Sequence, residues 1–446
     1  MSILIKNCTI INEGYSFAGS ISIDGDVISG IYEKGDILPD KELIIDAEGL
    51  FLMPGIIDDQ VHFREPGNPA KGTIESESAA SVLGGVTSFM DMPNTNPPAV
   101  TLEILEKKYE IAKRTSYANY SFYLGGSNDN LDEILKADPS CICGLKIFMG
   151  SSTGNLLVDN PVSLEKIFSK SPLLIASHCE DNSIIGNNLA VATEKYGEDI
   201  PFEEHKNIRS REACIKSSQK AIDLALRNNS SLHILHISTR EEIEMIKEAQ
   251  KRNPNITGEV CVHYMLLDSS FYGRMGSKMK CNPAIKDPED RIAIIKAVKD
   301  GIIKVVATDH APHTISEKYA NYKNAPSGLP LIQHSFQIMW ELHKAGYFTP
   351  GEIADRMCHS PAHRFKVQNR GYIRVGYYAD IMLFNPDKTD NLTTKFPAYK
   401  CGWSPFGESS FSSSVIHTFV NGIQVVKDGM LTGEKGGKRL KFNHEK

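Results

Sequence analysis

The sequence has no C-x-x-C pair among its nine cysteines, which are scattered and odd in number. That argues against a disulfide framework and a thiolate zinc site, and fits a reducing, cytoplasmic setting. No apolar run approaches the roughly 20 residues of a membrane span. The opening MSILIKNCTI has no apolar core or small-residue cleavage site, so neither a leader nor a membrane partner is expected. Positive charge is not in excess: 49 Lys and Arg against 55 Asp and Glu give a net charge of -6. Nothing there would draw in nucleic acid or anionic lipid. No G-x-G-x-x-G turn follows a first strand, which counts against a doubly wound dinucleotide-binding sheet.

What is present is ordinary in bulk and specific in pattern. The chain has 446 residues, 41% hydrophobic and 23% charged, enough for two or three domains or one large barrel with an appendage. Residues 1–52 read as short β-rich runs between Gly-containing turns, with no helical period. The stretch 371–446 reads the same way and includes Asn421-Gly422, a tight-hairpin signal. Two β segments at opposite ends can pair into one small β-sandwich. Between them, in 53–370, candidate strands fall at 56–61, 86–91, 119–124, 144–149, 173–178, 232–237, 258–263 and 303–308. Helical stretches lie between most of them. The clearest is 240–250, with a Thr239/Glu242 capping box and an Ile243, Ile246, Ala249 stripe. Eight strands alternating with helices predict a (β/α)8 TIM-like barrel.

Such barrels carry their chemistry at the C-terminal ends of the strands. His62 follows the first candidate strand, Asn94 the second, His178 ends the fifth, His236 the sixth and Asp309 the eighth. Strand alternation puts Gln60, His62 and Arg64 on one face, which suits a metal beside the imidazole and an anion on the guanidinium. Any one of these histidines is more simply a hydrogen-bonded core residue; their recurrence at strand ends argues otherwise. Three histidines and an aspartate meeting in a closed barrel suit Zn²⁺, with Mn²⁺, Co²⁺ and Fe²⁺ left open. His233, three residues before His236, is expected to face the other way as a structural residue. Lys146 lies in the fourth strand between leucine and isoleucine. A buried ammonium is costly there, and a neutral amine can add CO₂. The bland alternative is a lysine that snorkels outward to water.

The stretch Asp58-Asp59-Gln60-Val61-His62-Phe63-Arg64-Glu65-Pro66-Gly67 resembles the first signature of the dihydroorotases, in the amidohydrolase superfamily. Gln60 stands where that signature has the first histidine of H-x-H. Thr308-Asp309-His310-Ala311-Pro312-His313 matches the last signature of the family. Gly144 and Gly150 bracket Lys146 as the family pattern does. The resemblance spans nearly the whole chain. It implies a carboxylated Lys146 bridging one or two Zn²⁺ ions, with His62, His178, His236, Asp309 and possible help from Gln60 as ligands. Asp159 is poorly placed as an alternative bridge. It implies that Asp309 is also the general base and acid. Substrate contacts are implied for Arg64 and Asn94, which would hold a ring carboxylate, for Asn282 and His313, and for the Pro326–Gly328 loop. Glu259 to Tyr264 corresponds to a further family segment, and no catalytic role is assigned to it.

The implied reaction is reversible hydrolysis of the cyclic amide of (S)-dihydroorotate to N-carbamoyl-L-aspartate, a step of de novo pyrimidine synthesis. The substrate is a small molecule, and a homo-oligomer, dimer or tetramer, is expected. An allantoinase or dihydropyrimidinase would share the ligands and barrel, but its substrate lacks the carboxylate that Arg64 fits. An inactive scaffold for a transcarbamoylase would have lost more of these residues. Gln60 is expected to weaken the first metal position relative to the one built on His178, His236 and Lys146.

Overall fold

The structure is a computed structural model that describes residues 2–150, 156–392 and 397–443. Short parallel strands alternate with helices through the middle of the chain. They are β1 (Ile56–Val61), β2 (Val86–Asp91), β3 (Asn119–Phe122, continued past Tyr123 by Leu124–Gly125), β4 (Leu145–Phe148), β5 (Ile175–His178), β6 (Leu232–Ile234), β7 (Ile256–Cys261) and β8 (Val305–Ala307). Each pairs in parallel with the next. The ring closes between β8 and β1, where Val61 bridges His310 and the His62 N–H donates to the His310 carbonyl at 2.7 Å. The Asp58 carboxylate reinforces the closure by accepting from the Thr308 hydroxyl at 2.6 Å. Strands covered on both faces should be almost wholly apolar. All six residues of β1 are buried, yet three of them are Asp58, Asp59 and Gln60. Such a strand must find internal partners for its polar groups.

Local signals place the helices. Thr239 and Glu242 form the capping box the sequence predicts, with the Thr239 hydroxyl accepting from the Glu242 N–H at 3.3 Å. Ile243, Ile246 and Ala249 are buried. Two boundaries differ from expectation. β7 ends at Cys261, and Val262–Leu266 is already helical. The third strand breaks at Tyr123, whose hydroxyl donates inward to the Asp59 carbonyl at 3.0 Å. Behind β2, Lys108 donates to Asp91 at 2.7 Å with both side chains inaccessible. Removing one partner of such a pair costs about 3–5 kcal/mol.

Strands from both chain ends form one nine-stranded mixed sheet. Its halves join where Phe51–Pro54 runs antiparallel to Ile381–Asn385, Met53 opposite Met382. Alternation divides the faces: Ile381 and Leu383 enter a core shared with Ile3, Ile10, Ile23 and Phe419, while Met382 and Phe384 join the barrel's core. The sheet curls on itself, with Val27 bridging Tyr378, to make the expected β-sandwich. After the sandwich the chain returns to the barrel, where the Leu440 N–H donates to the Tyr120 carbonyl at 2.9 Å. Among the described residues no helix is long and apolar enough to cross a membrane.

Candidate metal and substrate site

The C-terminal ends of the barrel strands open onto one cavity of about 700 Å³. Every candidate site residue singled out in the sequence lines it: Gln60, His62, Arg64, Asn94, Lys146 and His178, together with His236, Asn282, Asp309, His313, Pro326 and Gly328. Three of them, Arg64, His236 and Asp309, have positive φ values of 68°, 42° and 49°. Left-handed backbone at non-glycine residues costs about 1–3 kcal/mol each and tends to gather where side chains must be aimed.

The potential ligands form two groups. In the first, His62 Nδ1 donates to Asn94 Oδ1 at 2.7 Å, which turns Nε2 toward Asp309 Oδ1, 3.1 Å away. An imidazole lone pair facing a carboxylate needs a proton or a cation between them. Gln60 donates its amide nitrogen to the same Asp309 oxygen at 3.2 Å, and its amide oxygen lies 3.9 Å from Cys261 Sγ. Burial opposes ionisation of Asp309, but the His62 hydrogen bond and the surrounding imidazoles outweigh it and hold the carboxyl at about 2.

In the second group, His178 Nδ1 lies 3.0 Å from His236 Nε2. Glu180 accepts from His178 Nε2 at 2.9 Å and pairs with Arg209, so the His178 Nδ1 lone pair points into the cavity. A carboxylate behind an imidazole is the usual support of a metal-ligating histidine. His236 Nδ1 is buried without a partner. Lys146 is fully buried, its amine has no hydrogen-bond partner, and burial lowers its pKa to about 8. An orphaned amine beside two imidazoles and near an aspartate is costly as it stands, and carboxylation with metal ligation would satisfy it. This donor set fits a divalent metal. At the end of β4 the chain passes so close to Glu180 that a Cβ on Gly150 would lie 2.1 Å from the Glu180 carbonyl, so only glycine fits.

The opposite wall is cationic. Arg64 Nε donates to the Pro312 carbonyl at 3.0 Å, and its Nη2 lies 3.0 Å from His313 Nε2. Lys71 Nζ lies 3.0 Å from His313 Nδ1. Burial first, then these two cations, push His313 far below the ordinary imidazole range, so it is neutral. Asn282 Oδ1 is buried without a partner. Lys318 pins the Pro326–Gly328 loop from behind, donating to the Pro326 and Gly328 carbonyls.

Sequence reasoning missed Glu180, Arg209 and Lys71. Glu180 had a signal, since it stands two residues after His178 in an extended stretch; Lys71 and Arg209 had none. One expectation is corrected. His233 does not face away from the barrel: its Nε2 lies 3.3 Å from Asp59 of β1, a strand that does not neighbour β6. The two meet inside the barrel. The positive φ at His236 breaks the two-residue alternation, so both histidines turn inward.

Residues 166–425 match the Amidohydrolase family, and residues 49–140 match the Dihydro-orotase-like family. The dihydroorotase of Bacillus subtilis (strain 168) is 31% identical over 443 residues, covering 97% of this chain and 100% of that protein. The dihydroorotase of Pyrococcus horikoshii is 30% identical, covering 95% and 91%. Among solved structures, L-hydantoinase (dihydropyrimidinase) from Arthrobacter aurescens superposes with a TM-score of 0.92 at 23% identity, covering 98% of this chain and 99% of that one. The dihydropyrimidinase from Brevibacillus agri NCHU1002 gives 0.89 at 24% identity over the whole of both chains. With a (β/α)8 ring, imidazoles and an aspartate at its mouth, and relatives matched from end to end, the chain belongs to the amidohydrolase family.

Proposed function

We propose that this protein is a dihydroorotase, catalysing the reversible hydrolysis of (S)-dihydroorotate to N-carbamoyl-L-aspartate. The observation that carries the reading is the pairing, across one cavity, of a metal-ligand set with a half-buried arginine. A cyclic amide bearing a carboxylate fits both; hydantoin and dihydrouracil have no carboxylate for the arginine to grip.

His178, His236 and Lys146 would hold one cation, and His62 and Asp309, with Gln60, a second and weaker one, Zn²⁺ being the metal that suits them best. Carboxylation of the neutral Lys146 amine, by addition of CO₂ and loss of a proton, would give that residue anionic oxygens with which to hold these cations. Bound there, the metal supplies Lewis acidity at the amide carbonyl. The protein's own groups do the rest. Arg64 and Asn94 orient the substrate carboxylate, Asn282 and the Pro326–Gly328 loop hold the ring amide, and neutral His313 donates or accepts at its edge. Asp309, ionised, takes a proton from the attacking water and delivers it to the departing ring nitrogen. In the synthetic direction the same transfers run in reverse. The nine free cysteines are consistent with a cytoplasmic enzyme.

The second reading, a hydantoinase or dihydropyrimidinase, draws support from the fold likeness. Turnover of dihydroorotate, dihydrouracil, hydantoin and allantoin by the purified protein, with metal content measured alongside, separates the two. Dihydroorotate is expected to dominate. A higher kcat/KM on any carboxylate-free ring would replace the assignment, and no turnover of any would favour a scaffold.

A further inference from the structure

Inside the barrel, on the closed side of the cavity, Asp59 of β1, His233 of β6 and Glu259 of β7 converge. All three are completely inaccessible to solvent. Among the described residues they are the one group of three or more His, Cys, Asp or Glu whose ligand atoms all lie within 4.8 Å of one another. His233 Nε2 is 3.3 Å from Asp59 Oδ2 and 3.5 Å from Glu259 Oε2. Ligands about 2.0–2.2 Å from a tetrahedral ion stand about 3.4 Å apart, so these separations suit such an ion.

The protons support the same reading. The Thr257 hydroxyl points toward the Leu232 carbonyl, 3.4 Å away, so its oxygen accepts from His233 Nδ1 at 2.7 Å. Neutral His233 then aims its Nε2 lone pair at two carboxylates. Neither Asp59 oxygen, nor Glu259 Oε2, nor His233 Nε2 has a hydrogen-bond partner. Three ligand atoms, one from each residue, converging in a dry core are costly unless a proton or a cation joins them. The Arg364 guanidinium, whose charge acts on Asp59 and His233, donates from its terminal nitrogens to Ser231, the Leu232 carbonyl and the Asn255 carbonyl, and its Nε makes no hydrogen bond to the cluster. Lys146 also lies near Glu259, but its amine makes no hydrogen bond to it.

We infer that Asp59, His233 and Glu259 bind a divalent transition-metal ion of the zinc class in the barrel interior, distinct from the cations of the cavity. One imidazole nitrogen and two carboxylates favour Zn²⁺, Co²⁺ or Mn²⁺ over the all-oxygen ions Mg²⁺ and Ca²⁺. The Glu259 carboxylate also accepts from the His236 backbone N–H through Oε1, at 3.2 Å. The interior ion therefore fixes the carboxylate that positions a cavity histidine. The site is independent of the substrate assignment, and its test needs no assay of turnover.

The full chain, dialysed against Zn²⁺ and then against metal-free buffer, is crystallised and its anomalous difference density recorded at the zinc edge. A peak within bonding distance of Asp59, His233 and Glu259 is expected. No peak there, whatever the cavity holds, overturns the inference, since a shared proton would then be the occupant. In the folded Asp59→Asn protein, zinc per chain should fall by one ion, and an unchanged count would equally overturn it. Should Asp59→Asn not fold, the wild-type density decides alone.

Discussion

Arg64→Ala tests the substrate assignment directly. Arg64 is held from behind through Nε on the Pro312 carbonyl and beside His313, which leaves the outer edge of its fork for the cavity. Hydrogen bonds to charged groups contribute about 1.5–3 kcal/mol, and truncating one member of a buried charge pair costs about 2–5 kcal/mol. At about 1.36 kcal/mol per tenfold, kcat/KM on dihydroorotate should fall about 30- to 5000-fold. Dihydrouracil, the same ring without the carboxylate, should change by no more than a few-fold. Arg64→Lys keeps the charge but loses the fork, and should fall between. The measurement is initial rate against substrate concentration for both rings, with a thermal melt to show the variants fold. An equal loss on the two substrates would mean that Arg64 supports the site's architecture and does not read the carboxylate.

Further outcomes follow from the same geometry. Asp309→Asn should lower kcat about 10²- to 10⁴-fold, as expected for loss of a general base, with a smaller change in KM. Gln60→His should strengthen retention of the more weakly held ion by at least about tenfold, read by chelator competition against wild type. Carboxylation of Lys146 needs the neutral amine, so in ¹³C-bicarbonate a carbamate resonance should grow as pH rises through about 8 and be absent in Lys146→Met. In the metal-free protein, burial opposes ionisation of Glu180, yet Arg209 and His178 hold its carboxyl at about 2 against an ordinary 4.5. A carboxyl lowered on folding stabilises above its unfolded pKa, and that contribution disappears as pH falls through the folded one. Between pH 4.5 and 2, denaturant titration should therefore show wild type losing about 3 kcal/mol that Glu180→Gln never had.

Much of the site was legible because a parallel barrel leaves few places for polar side chains. Lys146 between leucine and isoleucine, or His178 ending Ile-Ala-Ser, conflicts with the apolar composition such a strand requires. Conflict of that kind marks function. Regular strand spacing then placed the residues together. What escaped lay beyond the reach of periodicity. Lys71 sits in a loop whose path depends on tertiary contacts. The helical turn at Val262 follows an unbroken apolar run that reads equally well as strand. His233 was misdirected because the parity rule assumes extended backbone, and the positive φ at His236 interrupts it. Asp59 was passed over as the neighbour of a more conspicuous departure, Gln60.

The seam between Phe51–Pro54 and Ile381–Asn385 has a consequence for how this molecule is made. The partners are roughly 330 positions apart, so at about 5–20 residues per second the earlier strand waits roughly 15–65 s on the ribosome before its mate emerges. Meanwhile the hairpins that precede it present an unpaired, apolar border, the kind of margin that recruits other chains. Newly made protein should depend on chaperones through this interval far more than the finished molecule does.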